Sequence, residues 1–346
     1  TGTSALQTFL SDNRRILQRH KIIYPICAGG KVHNHYLAFS LLKKYGDRRT
    51  YSSFLPDLKS SSDEWDYILS QLTGEKNLIS SEVLAELSPE MVKEVKEHVS
   101  GFETKIVIYI RRHDFWLNSY YNQRVKGQGV CSVPDHDYLM HLVDVWAAIF
   151  SKQAVIVRPY EQGQFYRGSM IADFLHCTVG LELTDEYTLP PANLNLHLHR
   201  VVMEYQRLVN HLVLPPHRRR YLHAPILREL SKRFFDIAPQ KDVSVFSPQE
   251  RLEMIDRYAF KYKEIAKAYL GRQDGRLFYD PLPAVDQQWN PYDHLLEEDA
   301  CEINHYLKHH YPRVMGAICR GIELSMKSDD PEIRSAAEQL KPGIAS

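Results

Sequence analysis

No apolar stretch in the chain approaches the ~20 residues that a bilayer span requires. The longest runs, such as Val145-Trp-Ala-Ala-Ile-Phe150, stop far short of it. Neither sign of charge is in excess, with 43 Lys and Arg against 43 Asp and Glu, so a nucleic-acid partner is not expected. Cysteines are few, odd in number and scattered: Cys27, Cys131, Cys177, Cys301 and Cys319, with no C-x-x-C pair. That argues against a disulfide framework or a structural zinc site and for a reducing, cytoplasmic compartment. No secretory leader is visible, and the chain opens at Thr1. The nucleotide motifs G-x-x-x-x-G-K-[ST] and G-x-G-x-x-G are both missing, which counts against an ordinary ATPase, kinase or dinucleotide enzyme. Repeats and low-complexity tracts are absent as well. With 44% hydrophobic and 25% charged residues, the composition excludes a disordered, collagen-like or coiled-coil chain.

What remains is a globular chain of 346 residues, enough for two domains at about 150 residues each. Leu6, Phe9 and Leu10 fall at helical spacing, with Asp12 or Asn13 placed to cap the next turn. Residues 21–25 read as a short strand stopped by Pro25, and 32–42 as a helix that begins around two histidines. Residues 77–82 read as strand into loop, 89–99 as a helix, and 105–110 as an apolar strand suited to a parallel sheet. Helices at 114–126, 138–150 and 169–175 alternate with a strand at 154–158, so an α/β fold is expected. Beyond residue 180 only helices stand out, at 196–213, 225–235, 248–270, 298–309 and 313–327, punctuated by prolines. The expected division is therefore an α/β core over 1–180, with four or five parallel strands, and a helical extension over 181–346.

Two stretches carry chemistry. Gly2-Thr3-Ser4 ahead of a helix offers free amides and hydroxyls to an anion, with Ala5 in the same first turn; the plainer reading is a helix cap. Strand 105–110 runs into Arg111-Arg112, and Ser119 follows eight residues after Arg111. A cation at the carboxyl end of a parallel strand sits where open α/β sheets bind ligands, and a guanidinium suits phosphate. The plainer reading is a pair of solvated strand-end charges.

Taken together, the two stretches resemble the sulfotransferases that use 3′-phosphoadenosine 5′-phosphosulfate (PAPS). That family's 5′-phosphosulfate loop reads roughly Lys-x-Gly-Thr-[Thr/Ser], and its 3′-phosphate motif has arginine at a strand end with serine eight residues on. Trp146, Val155-Ile-Val-Arg-Pro-Tyr-Glu161, Phe246-Ser-Pro-Gln-Glu-Arg251 and Tyr269-Leu-Gly-Arg-Gln-Asp-Gly-Arg-Leu-Phe278 are similar to bacterial carbohydrate-type members. The resemblance covers roughly residues 1–285. It implies a P-loop-type parallel sheet flanked by helices, with Gly2, Thr3, Ser4 and Ala5 at the 5′-phosphosulfate and Arg111 and Ser119 at the 3′-phosphate. It departs in one respect: the family lysine would lie one position ahead of Thr1, and the family's first strand is expected ahead of Thr1 with it.

Sulfuryl transfer needs a base for the acceptor hydroxyl. By the family's order of elements Glu82, after Leu78-Ile-Ser-Ser, takes that place, the more so if partial burial raises its pKa; the alternative is a capping acid. His33 and His35, after the Gly29-Gly30 loop, are the other candidates, for base or for a sugar hydroxyl. Tyr120, Gln123 and Lys126 continue the phosphate helix and are expected at substrate, though a core role for a tyrosine is as natural. The basic run His217-Arg218-Arg219-Arg220 is expected to meet an acidic polysaccharide. His197 and His199 read as a helix-surface pair; His305 and His309 have zinc-ligand spacing without an accompanying acid motif, and no metal is expected. The expected activity is transfer of the sulfuryl group of PAPS to a hydroxyl of a carbohydrate acceptor. Two alternatives stay open: an inactive nucleotide- or glycan-binding module, and a Mg-dependent P-loop phosphotransferase.

Overall fold

A computed structural model describes residues 2–27, 32–46, 58–128, 138–191, 197–213, 221–237, 244–289 and 294–344. Two compact units interleave along the chain. The first holds 1–112, 137–195 and 258–281, the second 113–136, 196–257 and 282–346. The sequence reading places one cut near residue 180 instead. Composition registers the loss of strands there, but not the return of 258–281 to the first unit.

The first unit opens with helices α1 (Thr3–Asp12) and α2 (Arg14–Arg19). Leu6, Phe9 and Leu10 are buried, as their spacing requires, against Leu17, Ile22, Phe174 and Tyr187. Asn13 begins α2 without capping it through its side chain. Its amide nitrogen donates to the carbonyls of Phe9 and Thr188, 2.8 Å each, and its oxygen accepts from the Thr188 amide at 2.8 Å. A fully buried carboxamide thus has every bond it needs, and it fastens a distant segment to α1.

Strand β1 (Ile22–Ile23) and helices α3 (His35–Lys44) and α4 (Ser61–Leu69) lead to β2 (Lys76–Asn77). β1 and β2 pair in parallel for two residues only. Pro25, which lacks an amide donor, ends the ladder that the sequence reading extends to residue 25. Helix α5 (Pro89–His98) starts with proline after Ser88, whose hydroxyl accepts from the Met91 amide. Strand β3 (Ile106–Ile110) pairs in parallel with β4 (Val155–Pro159) over five residues, from Ile106 opposite Val155 to Ile110 opposite Pro159. Helix α7 (Tyr138–Phe150) packs on both strands and on α5, and α8 (Met170–Phe174) follows β4. Among the described residues the strands therefore form two separate parallel pairs, not one sheet of four or five. The fold is α/β and mostly helical.

Helix α6 (His113–Gln128) belongs to the second unit, with α9 (Arg200–His211), α10 (Ala224–Ile237), α11 (Pro248–Arg257), α13 (Glu297–His310), α14 (Pro312–Ser325) and α15 (Pro331–Gln339). Its core gathers Tyr121 and Val125 of α6 with Val202, Tyr205 and Val209, Leu227 and Leu230, Ile303 and Leu307, and Ile318. The single helix expected over 248–270 breaks at the buried Tyr258 into α11 and α12 (Ala259–Leu270), which fall in different units. His199 is buried, not on a helix surface: its ring accepts from the Val201 amide at 3.3 Å, and its own amide donates to Ser231 Oγ at 3.2 Å. Among the described residues no helix is long and apolar enough to cross a membrane. Cys27, Cys177, Cys301 and Cys319 are free thiols.

Asp173 on α8 has no solvent exposure. Its carboxylate accepts both Arg158 Nε, at 3.0 Å, and Arg158 Nη2, the Tyr109 hydroxyl at 2.7 Å and the Tyr166 amide at 3.0 Å. Burial alone would raise this carboxyl, but those donors outweigh it and hold its pKa below the usual value. A depressed carboxylate contributes stability above its unfolded pKa, about 3.9, and that stability is lost as pH falls through the lower folded value. Asp173→Asn is expected to cost about 3 kcal/mol at pH 7, because Arg158 is left half-buried without its partner. Urea melts at pH 7 and pH 3 check this; a variant as stable as wild type at pH 7 refutes the role.

Candidate functional site

The start of α1 touches both strand pairs at their carboxyl ends. Gly2 sits in the left-handed region at φ +66°, and a Cβ there would come 2.6 Å from the Tyr160 ring and 3.0 Å from Met170 Cε. Glycine is required twice over, for its backbone and for the ring pressed on it. Tyr160 follows β4, and its amide donates to Ile110 O at 2.6 Å, which extends the β3–β4 ladder. Arg111 follows β3 and lies with its guanidinium carbon 5.6 Å from the Tyr160 ring centroid. The amides of Thr3, Ser4 and Ala5 form the first turn of α1, where no intrahelical acceptor exists for them.

The neighbouring Arg112 has another task. It is buried, and its Nη1 donates to the carbonyls of Asp280 and Pro281 at 3.0 Å each. Buried Glu161 holds the same segment, accepting the amides of Tyr279 and Asp280. Arg272 adds bonds to the carbonyls of Arg276 and Leu277 at 2.9 and 3.1 Å. Residues 271–281 thereby form a strap fastened to the ends of β3 and β4. Arg272 and Arg276 stand 5.0 and 5.1 Å from the Tyr279 ring centroid.

From β1 and β2 come the acid and the imidazoles. Buried Asn34 is clasped to Ser80: its amide donates to Ser80 O at 2.9 Å, and its Oδ1 accepts the Ser80 amide at 2.9 Å. This clasp sets the start of α3 against the turn Glu82–Glu86. Ser81 Oγ accepts from the Val83 amide at 3.2 Å and lies 2.8 Å from His35 Nδ1. The other ring nitrogen, His35 Nε2, lies 3.4 Å from Glu82 Oε1, so the imidazole bridges Ser81 and Glu82. The His33 ring stacks on His35 at 3.7 Å. The Glu82 side chain keeps 47% of its surface exposed; desolvation works to raise its carboxyl, but His35 and the Thr3 hydroxyl hold it below the usual carboxylate range. The expectation that burial raises its pKa is thus overturned: hydrogen bonds to the charged form win.

Gly2, Thr3, Ser4, Arg111, Glu82, His33 and His35 therefore all lie in the first unit, around the start of α1. Ser119, Tyr120, Gln123 and Lys126 lie on α6, in the second unit. Tyr120 stacks on Trp116 at 4.9 Å and accepts from Arg124 Nη1 at 3.2 Å, while Gln123 is exposed. Burial and the Arg228 charge push the Lys126 ammonium down to about 8. Arg218 and Arg219 lie outside the described residues. Two contributors escape sequence reasoning, Tyr160 and Gln7. Tyr160 stands inside the run 155–161 with nothing to mark its contact with Gly2. Gln7, on the buried face of α1, interrupts an apolar pattern, which is the available signal.

No family model matches the chain, and no solved structure does. An uncharacterized protein of Archaeoglobus fulgidus is 29% identical over 205 residues, covering 57% of this chain and 54% of that protein. The chain thus spans about half the length of the relative it matches.

The two adjacent arginines should separate cleanly. Arg112→Ala strips a charged donor from two carbonyls of the strap and is expected to cost about 1–3 kcal/mol. Arg111→Ala is expected to cost less, about 0.5–1 kcal/mol for its contact with the Tyr160 ring. Thermal and chemical denaturation of both variants give the comparison; equal losses would mean that Arg111 is structural too.

Proposed function

We propose that the chain is a PAPS-dependent sulfotransferase that transfers the sulfuryl group to a hydroxyl of a carbohydrate acceptor. One observation carries the reading: the first turn of α1 brings anion-binding amides, the cation of Arg111 and the Glu82–His35 pair around one point. Helix amides suit the 5′-phosphosulfate and a guanidinium suits the 3′-phosphate. The two parallel strand pairs are read as parts of a P-loop-type sheet, with the site at its carboxyl edge, and the free thiols fit a cytoplasmic setting.

The transfer is in line. The acceptor oxygen forms a bond to sulfur as the bond from sulfur to the 5′-phosphate oxygen breaks. The hydroxyl proton passes to the Glu82–His35 pair, and a sulfate ester and 3′-phosphoadenosine 5′-phosphate leave. The α1 amides stabilise the charge that grows on the departing phosphate. His33, stacked on His35, limits the motion of that imidazole.

Calorimetric titration with 3′-phosphoadenosine 5′-phosphate tests the cofactor half of the proposal. Micromolar binding is expected for wild type, weakened more than tenfold, about 1.4 kcal/mol, in Arg111→Ala. Glu82→Gln should keep that affinity and lose sulfuryl transfer from labelled PAPS to a carbohydrate panel by about 100-fold or more. A folded wild type that ignores the nucleotide overturns the reading in favour of a glycan-binding module.

A further inference from the structure

We infer that Gln7 is the positioning residue of the Glu82–His35 pair, an inference that rests on reading this pair as the base. Gln7 is 2% exposed, on the face of α1 that otherwise buries Leu6, Phe9 and Leu10. A carboxamide in such a place costs free energy unless it is bonded, and leucine would serve the core better. Its bonds run to one segment, 73 to 75 residues away: Nε2 donates to Glu82 Oε2 at 3.2 Å, to Ser80 Oγ at 3.4 Å and to Ser80 O at 3.5 Å.

The division of labour on Glu82 follows from these contacts. Oε2 is held by α1 and Oε1 by His35 at the start of α3. Thr3, one helical turn before Gln7 and on the same face, adds its hydroxyl to the same carboxylate. With one oxygen fixed, the carboxylate cannot rotate away from the imidazole, and the proton path between them keeps its direction. The same amide tethers the base to the helix whose first turn is read as the phosphosulfate seat, so a shift of one shifts the other. An amide donor also favours the ionised carboxylate. The groups that face Glu82 are His35, with His33 stacked on it, from α3; Thr3 and Gln7 from α1; Tyr24 from the end of β1; and Ser81 from the residue before it.

Two substitutions test this in the full chain. Gln7→Met keeps the shape and removes the donor; Gln7→Glu keeps the shape and sets a second carboxylate against the first. Carboxyl carbon NMR, assigned with Glu82→Gln, follows the Glu82 titration without any assumption about the reaction. The midpoint should rise by about half a unit or more in Gln7→Met and further in Gln7→Glu, where two carboxylates compete for one proton. In turnover, kcat should fall about tenfold at pH 7, with its acid limb moved upward and the nucleotide affinity within about twofold of wild type. An unchanged Glu82 midpoint in either folded variant overturns the inference. So does a loss of melting temperature with an unchanged pH profile, which would make Gln7 a packing residue. Should wild type bind no nucleotide while the midpoints still move, the sulfotransferase reading has failed and the Gln7–Glu82 coupling stands.

Discussion

The arrangement of the site depends on how closely α1 can approach its surroundings. The glycine that leads into it lies under the Tyr160 ring in a left-handed conformation that only glycine adopts without strain. Further along, Gln7 is buried against Ser80 and Glu82. The helix is thereby pinned at two points, to the end of β4 on one side and to the turn after β2 on the other. No ladder joins the two strand pairs among the described residues. The helix start, with the core around Phe9 and Tyr187, is what relates Arg111 to Glu82. A change at Gly2 acts on both ends of the site at once.

Electrostatics sharpens this picture in a chain whose total charge is balanced. Adjacent arginines take opposite roles because burial separates them. Arg112 is buried and satisfies two carbonyls of the strap, and Arg111 lies on the aromatic face of Tyr160. Within the strap over 271–281, two more guanidiniums gather at the Tyr279 ring. Net charge conceals such local concentrations, which is why composition could speak to nucleic acid but not to a phosphate-sized ligand.

The legible parts of the fold were those with strong periodicity or a terminating residue. The apolar face of α1, the helix after Ser88-Pro89, the run 106–110 and the helix Tyr138–Phe150 all follow directly from spacing. Of the site, Gly2, Arg111, Glu82 and His35 were each visible as residue types in suggestive places. What could not be read was contact between distant segments. Gln7 reaches a residue 75 positions away, and Asn13 bonds to Thr188 instead of capping its own helix. His199 is buried by tertiary packing although its local pattern reads as surface. Interleaving of the units hinges on a break at Tyr258, inside a stretch with unbroken helical propensity; there the burial of one aromatic outweighs local preference.

The ionisation of Glu82 ties these contacts together. A carboxylate held below its usual range by an imidazole and a hydroxyl donor is a feeble base by itself, so its competence depends on what changes when a ligand arrives. Under the proposed function, that ligand brings negative charge to the amides of Thr3 and Ser4, beside the hydroxyl that Glu82 shares. A like charge at that distance raises a carboxyl's proton affinity, and it competes for the Thr3 donor. Both effects act in the direction that strengthens Glu82 as a base, and both vanish when the seat is empty. Gln7 and His35 meanwhile keep the carboxylate in place, so the gain in basicity comes without loss of orientation. Basicity and cofactor occupancy are then two expressions of one electrostatic coupling through the first two turns of α1.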